Sequence, residues 1–77
     1  MNGIKIKITC DNIAKFVKLC DTFKSDIDLS KDHYVTDGKS YLGVLTLLQS
    51  DCYASINSND KEEIEKFNRE MGEFQCD

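Results

Sequence analysis

Four cysteines, one histidine and a serine that precedes an apolar segment are the residues of this sequence whose types and positions could support chemistry. Cys10 stands where an alternating segment gives way to the first stretch with helical spacing. A thiol at the start of a helix can act as a nucleophile or a redox group, and in a Cys-x-x-Cys loop it can bind a metal. No second cysteine follows Cys10 within three residues, and the carboxylate of Asp11 disfavours a thiolate. We therefore interpret Cys10 as unreactive, with a phosphoryl or thiol carrier and a metal ligand as the alternatives.

The other three cysteines are predicted to have no chemical role. Cys20 and Cys52 fall on the apolar sides of their segments and are expected in the core, whereas Cys76, beside the C-terminus, is expected to be exposed. Residues 1–8 do not resemble a secretory signal peptide, so we expect a cytoplasmic protein whose cysteines stay reduced. The longest apolar stretch, residues 41–48, is too short to cross a bilayer, and no membrane partner is expected.

Ser40 directly precedes that apolar stretch. Its hydroxyl is suited to cap a helix by accepting a hydrogen bond from a backbone amide. A phosphate at the same place would be favoured by the helix dipole and by the neighbouring Lys39. The position is therefore compatible with a cap alone and with a site of regulatory phosphorylation.

Composition and spacing argue against catalysis and against nucleic-acid binding. The chain has 77 residues, which is enough for one domain over residues 1–77. Ten Lys and Arg against fourteen Asp and Glu give a net charge of -4, which repels phosphate backbones. The sequence has no nucleophile, base and orienting acid at a spacing typical of a catalytic site, and no glycine-rich phosphate loop follows a predicted strand. We expect a non-enzymatic domain that uses no metal and no other cofactor.

Hydrophobic periodicity predicts the order strand, helix, strand, strand, helix, strand, helix. Alternation predicts strands near residues 4–9, 26–30, 34–36 and 52–57, with a tight turn at residues 31–33. Helices are predicted to begin at caps, and glycine is expected to end the last one. The predicted caps are Asp11 or Asn12, Ser40, and Asn59 or Asp60, and the terminating glycine is Gly72. The predicted apolar stripes are Ile13, Phe16, Val17, Cys20 and Phe23, then Leu42, Val44, Leu45, Leu47 and Leu48, then Ile64, Phe67 and Met71. The glutamates of the last helix, Glu62, Glu63, Glu65 and Glu70, are interpreted as a solvated face.

Residues 39–47, which read Lys-Ser-Tyr-Leu-Gly-Val-Leu-Thr-Leu, resemble the second-helix signature of the HPr family, the phosphocarriers of the bacterial sugar phosphotransferase system. Residues 16–29 and 53–71 are similar to the family in pattern and spacing, so the resemblance extends over nearly the whole chain. It implies an α+β open-faced sandwich in which three helices cover one face of a four-stranded antiparallel sheet. The element order alone also allows a ferredoxin-like split unit with an added helix.

The sequence departs from the family where its members carry a phosphoryl-accepting histidine. In the family, a His-Ala-Arg-Pro-like loop after the first strand receives a phosphoryl group from enzyme I and passes it to enzymes II. Here residues 8–14 read Ile-Thr-Cys-Asp-Asn-Ile-Ala and form a shorter loop, with Thr9, Cys10 and Asp11 near the position of the lost site. His33 lies in the predicted hairpin turn and matches no active-site position. The resemblance therefore does not imply phosphocarrier activity for this chain.

The resemblance implies a partner-binding patch at Tyr41, Leu42 and Leu45. Lys39 and Lys18 are expected to rim it and to steer an acidic partner. The alternative is that Leu45, together with Leu48, belongs to the core and that only Tyr41 and Leu42 are exposed.

The resemblance also implies a regulatory role for Ser40. This serine matches the one that an ATP-dependent kinase phosphorylates in Gram-positive bacteria, which makes HPr, or its histidine-lacking relative Crh, a corepressor for a catabolite-control transcription factor. We therefore interpret the chain as a Crh-like regulatory module whose partners would be HPr kinase and such a regulator. A carrier that uses Cys10, and a scaffold with partners unrelated to sugar transport, are the alternatives. The chain is expected to be a monomer or a weak homodimer.

Overall fold

Four strands form one antiparallel sheet, and the alternation that the sequence predicts is present in three of them; the exception is the edge strand at residues 34–37, whose side chains are mostly exposed. The computed structural model describes residues 3–76 of the chain. The strands are β1 (Ile4–Lys7), β2 (Asp26–Lys31), β3 (Tyr34–Asp37) and β4 (Asp51–Asn57). Asp32 and His33 form the turn between β2 and β3, and Asp32 has a φ of 55°, a left-handed conformation that Asp tolerates better than most residues. The predicted hairpin is confirmed.

The order of the strands in the sheet is β1-β4-β2-β3. In a ferredoxin-like split unit, the third strand would lie between the first two. Here β4 occupies that place, with Cys52 opposite Ile6 of β1 and Ala54 opposite Leu29 of β2. The ferredoxin-like alternative is therefore excluded, and the open-faced sandwich is confirmed.

Three helices pack on one face of the sheet. They are α1 (Ile13–Cys20), α2 (Tyr41–Leu45) and α3 (Lys61–Glu70), and a 3₁₀ turn (Met71–Phe74) follows α3. Of the residues that the structure describes, fifteen hydrophobic side chains are buried in one cluster between the layers: Ile6, Ile8, Ile13, Phe16, Cys20, Phe23, Ile27, Leu29, Val44, Leu47, Cys52, Ala54, Phe67, Met71 and Phe74. Aromatic rings pack edge to face at two places in this cluster, Phe16 against Phe74 and Phe23 against Phe67. Among residues 3–76, no helix is long and apolar enough for a membrane span.

The second helix is shorter than its apolar stripe predicts. Regular α-helix ends at Leu45, and the amides of Leu47 and Leu48 bond carbonyls three residues back, which tightens the chain. Gln49 then adopts a left-handed φ of 63°, and its amide donates to the carbonyl of Ile8 at 2.7 Å. The bond to Ile8, the residue that follows β1, ends the helix at a point that the local pattern does not predict.

The C-terminal segment differs from two predictions. Gly72 does not stop α3 in a left-handed conformation; it lies inside the 3₁₀ turn, which brings Met71 and Phe74 into the core together. Cys76 is half-buried rather than exposed, because the chain returns along β1. Its amide donates to the carbonyl of Lys5 at 3.0 Å, and Gln75 bridges Ile6.

Candidate functional site

Ser40 is the N-cap residue of α2. Its backbone is extended, and its Oγ accepts a hydrogen bond from the amide of Gly43 at 3.2 Å. The carbonyl of Ser40 accepts the amide of Val44 at 2.9 Å, which closes the first turn. The predicted cap is confirmed, and the side chain is half-buried at the surface.

Gly43 allows α2 to lie directly against β3. A Cβ at this position would overlap the Oγ1 of Thr36, and it would also lie 3.4 Å from the Oγ of Ser40. A glycine inside a five-residue helix lowers helix propensity, so close packing explains its presence better than local preference does. This contact fixes the position of α2 relative to the sheet.

The outer side of α2 carries an apolar surface, the α2 patch, formed by Tyr41, Leu42 and Leu45. Their exposed fractions are 44%, 79% and 40%, whereas Val44 on the inner side is fully buried. The alternative that placed Leu45 in the core is wrong. Leu48, by contrast, is half-buried and packs against the core.

An open groove adjoins the α2 patch between α1 and α2. Its lining residues are Ala14, Lys15, Val17, Lys18, Asp21 and Tyr41. The ammonium of Lys15 is turned to the far side, where it pairs with Glu73 at 2.6 Å. Lys18 is exposed in the last turn of α1 and lines this groove.

Lys39 does not take the place expected for it at the rim of the patch. Its Nζ donates to the carbonyl of Phe23 at 2.8 Å, and its backbone amide donates to Oδ1 of Asp37 at 2.9 Å. The first bond turns the side chain toward the segment that follows α1, and the second holds the backbone just before α2. The ammonium is half-buried there and acts as a link between the starts of α2 and β2.

The loop between β1 and α1 contains Thr9, Cys10 and Asp11, the residues that the resemblance places near the phosphoryl-accepting position of HPr. Thr9 is half-buried, and Cys10 and Asp11 are exposed. The prediction that Asp11 or Asn12 is the N-cap residue of α1 is confirmed for Asn12 in position, but its side chain makes no capping hydrogen bond. Asn12 occupies the N-cap position, but its side chain reaches back, accepting the amide of Thr9 at 2.8 Å and donating to the carbonyl of Lys7 at 2.9 Å. These bonds hold the loop against β1 and leave the start of α1 without a side-chain cap.

The cysteines divide into buried and accessible thiols. Burial raises the pKa of Cys20 to about 12 and that of Cys52 to about 11, so both thiols are protonated at neutral pH. The prediction that both belong to the core is confirmed. Cys10 is exposed and is a free thiol. Within residues 3–76, no three His, Cys, Asp or Glu side chains are placed to hold a metal ion.

Two residues of α3 make contacts that the sequence interpretation missed. Glu63, expected on a solvated face, accepts the amides of Lys24 at 2.9 Å and Ser25 at 3.0 Å. Lys66 donates to the carbonyl and Oγ1 of Thr22. The partners are about forty residues apart in the chain, and periodicity carries no signal for contacts at that separation.

Solved structures of HPr-like proteins resemble this fold. HPr-C-His from Thermoanaerobacter tengcongensis matches with a TM-score of 0.69 and 26% identity, over 95% of this chain and 92% of its own. The phosphocarrier protein HPr from Bacillus anthracis str. Ames matches with a TM-score of 0.71 and 19% identity, over 92% of this chain and 93% of its own. Crh, the Bacillus subtilis catabolite repression containing protein, whose crystal structure shows a swapped, intertwined dimer, matches with a TM-score of 0.66 and 25% identity, over 100% of this chain and 93% of its own.

No protein-family model matches the chain, and no curated protein sequence matches it. The implied fold is nevertheless confirmed over nearly the full length of the chain. The protein has the open-faced sandwich fold of HPr and Crh.

Proposed function

We propose that this protein is a non-catalytic, HPr-like regulatory domain of the sugar phosphotransferase type, and that it binds proteins through the α2 patch. The observation that carries the proposal is the exposure of Tyr41, Leu42 and Leu45 on one short helix. An apolar surface beside a groove is a feature of protein-binding sites, and Leu42, at 79% exposed, contributes little to the core. HPr kinase and a catabolite-control regulator are the proposed partners, in the cytoplasm. The free protein is proposed to be a monomer or a weak homodimer.

Phosphorylation of Ser40 is the proposed switch. In this step, Oγ of Ser40 forms a bond to the γ-phosphorus of ATP, the bond to the ADP leaving group breaks, and the hydroxyl proton is released. The product adds close to two negative charges directly beside the α2 patch. A partner that recognises the phosphate would then contact the charge and the apolar surface together.

A histidine phosphocarrier role is not proposed. The loop between β1 and α1 offers Thr9, Cys10 and Asp11, and His33 lies in the β2–β3 turn. Asp11 is exposed at the entrance to α1, where its carboxylate repels a phosphoryl group. An exposed thiol at Cys10 keeps a cysteine-linked carrier as the outcome that would replace this proposal.

Intact-mass spectrometry with peptide mapping tests the switch. The protein is incubated with HPr kinase and ATP, and separately with enzyme I and phosphoenolpyruvate. The proposal expects one phosphate on Ser40 in the ATP reaction, none in the Ser40→Ala variant, and none with phosphoenolpyruvate. A thiol-linked phosphate on Cys10, or an acid-labile one on His33, would instead establish a carrier. No phosphate in either reaction would leave a scaffold without this switch.

A pair of matched variants tests the docking surface. Leu42→Glu places a charge in the α2 patch, and Val35→Glu places the same charge on the edge strand β3, where the side chain is 60% exposed. Loss of a leucine side chain that is buried at an interface should weaken binding by about tenfold or more. We expect Leu42→Glu to weaken HPr kinase binding by this amount and Val35→Glu to leave it unchanged. Equal effects of the two variants would contradict the assignment.

A further inference from the structure

Residues 22–25, which connect α1 to β2, are held by charged side chains from other parts of the fold. From α3, Glu63 accepts the amides of Lys24 and Ser25, and Lys66 donates to Thr22. The ammonium of Lys66 also lies 4.4 Å from the centroid of the Phe23 ring. Charged groups thus add to the buried Phe23 ring and to the backbone bonds from Thr22 and Phe23 to α1 in holding this segment.

The remaining charged contact comes from the start of α2. Lys39 Nζ donates to the carbonyl of Phe23 at 2.8 Å in a half-buried position. Lys39 immediately precedes Ser40, and a phosphate on the Ser40 hydroxyl would offer its ammonium a second acceptor besides the Phe23 carbonyl. The carbonyl is neutral, whereas a phosphoserine carries close to two negative charges and three acceptor oxygens. Hydrogen bonds between two charged groups are markedly stronger than bonds to a neutral acceptor.

We propose that phosphorylation of Ser40 draws the Lys39 ammonium from the Phe23 carbonyl to the phosphate and thereby loosens residues 22–25. This inference rests on the proposed function, because it assumes that Ser40 is the modified residue. Lys39 thus acts as a relay between the start of α2 and the end of α1.

The relay has a consequence for partner binding. Val17 and Lys18 of α1 line the groove beside the α2 patch, a few residues before the segment that Lys39 holds. A change at residues 22–25 alters how the end of α1 is anchored. Phosphorylation would therefore act on both walls of the groove: directly on α2 and, through Lys39, on α1.

The test uses the full chain with phosphoserine incorporated at position 40 during translation, so that no kinase is needed. Two NMR readouts report on the relay: the carbonyl ¹³C shift of Phe23 and the hydrogen exchange of the Lys24 and Ser25 amides. We expect the carbonyl shift to move toward that of a solvated carbonyl and the two amides to exchange about tenfold faster, the size expected for loss of a bond to a charged group.

Three variants make the test specific. Lys39→Met removes the ammonium and keeps the chain length, so the unphosphorylated variant should already show the loosened segment, and phosphorylation should add nothing. Lys66→Met removes a different ammonium from the same segment, and there the response to phosphoserine should persist. Lys39→Arg retains a cation and should retain the response, which separates the relay from a general defect in folding.

Unchanged Phe23 and amide signals on phosphorylation would overturn the relay, and so would an equal response in Lys39→Met. Either result would leave the docking proposal standing. Failure of HPr kinase to modify Ser40, with a normal response to incorporated phosphoserine, would overturn the proposed switch and leave the relay intact.

Discussion

The packing of Gly43 against Thr36 gives a stability prediction that concerns the position of α2. In Gly43→Ala, the added methyl group would overlap Oγ1 of Thr36, and the threonine would have to leave its rotamer or α2 would have to move away from β3. Local propensity predicts the opposite sign, because Ala stabilises a helix relative to Gly. The two effects therefore compete at one position.

The expected sign of the change in stability follows from the magnitudes of these two effects. Forcing an extra methyl group into a packed contact typically costs about 1 to 3 kcal/mol, whereas Gly to Ala in a helix gains about 1 kcal/mol. We expect Gly43→Ala to destabilise the wild-type chain by about 1 kcal/mol. In a Thr36→Ala background the overlap is absent, and the same substitution should stabilise by up to about 1 kcal/mol. The coupling between the two positions equals the cost of the overlap.

Urea unfolding followed by circular dichroism measures all four chains of this cycle. The midpoints give the free energies of unfolding, provided that the slopes agree among the variants. The single variant Thr36→Ala measures the effect of losing the threonine hydroxyl and methyl groups by themselves. If Gly43→Ala stabilised both backgrounds equally, the close approach of α2 to β3 would be refuted.

Three further predictions concern α3, the core and the thiols. Bonds from the amides of Lys24 and Ser25 hold the pKa of Glu63 below its ordinary value. The Glu63 carboxylate therefore stabilises the fold at a pH above that ordinary value, and this stabilisation is lost as the pH falls through the lowered pKa. Urea midpoints measured from neutral to acidic pH should show that Glu63→Gln lacks this pH-dependent stabilisation. Leu47→Ala should cost about 2 to 5 kcal/mol, and Leu42→Ala less than about 0.5 kcal/mol, in urea unfolding, because the two leucines are 4% and 79% exposed. Two of the four thiols, the pair buried in the core, should resist alkylation at pH 8 in the native protein and react once urea unfolds it, as peptide mapping would show.

Each of these predictions has a contrary result. A Glu63→Gln variant that is as destabilised in acid as at neutral pH would show that the carboxylate charge has no part in holding residues 24 and 25. Equal costs for the two leucine variants would mean that α2 presents a different face to the core. Rapid native alkylation of either buried cysteine would mean that its segment opens readily.

The sequence predicts most of the fold because its main signals are local. Alternation in Ile4–Lys7 and Asp51–Asn57, and apolar spacing in Ile13–Cys20, follow directly from which side chains face the core. The order of strands could not be read in this way. It depends on the pairing of β4 with both β1 and β2, a long-range choice that the resemblance to HPr indicated and periodicity did not.

The candidate site was predicted less completely. The position of Ser40 and the α2 patch follow from the apolar segment and its resemblance, since capping and exposure are local properties of α2. Lys39 was expected at the rim of the patch because of the resemblance to HPr. Its bond to the Phe23 carbonyl, like the bond from the Lys24 amide to Glu63, exists because the fold brings distant segments together.

The most direct test of the docking proposal is an NMR titration of the ¹⁵N-labelled protein with unlabelled HPr kinase. The proposal predicts shift changes or broadening at Tyr41–Leu45 and at Val17 and Lys18, with Lys5 and Tyr53 on the open face of the sheet unaffected. Changes centred on β3 or on the open face of the sheet, or no change at any concentration, would contradict it.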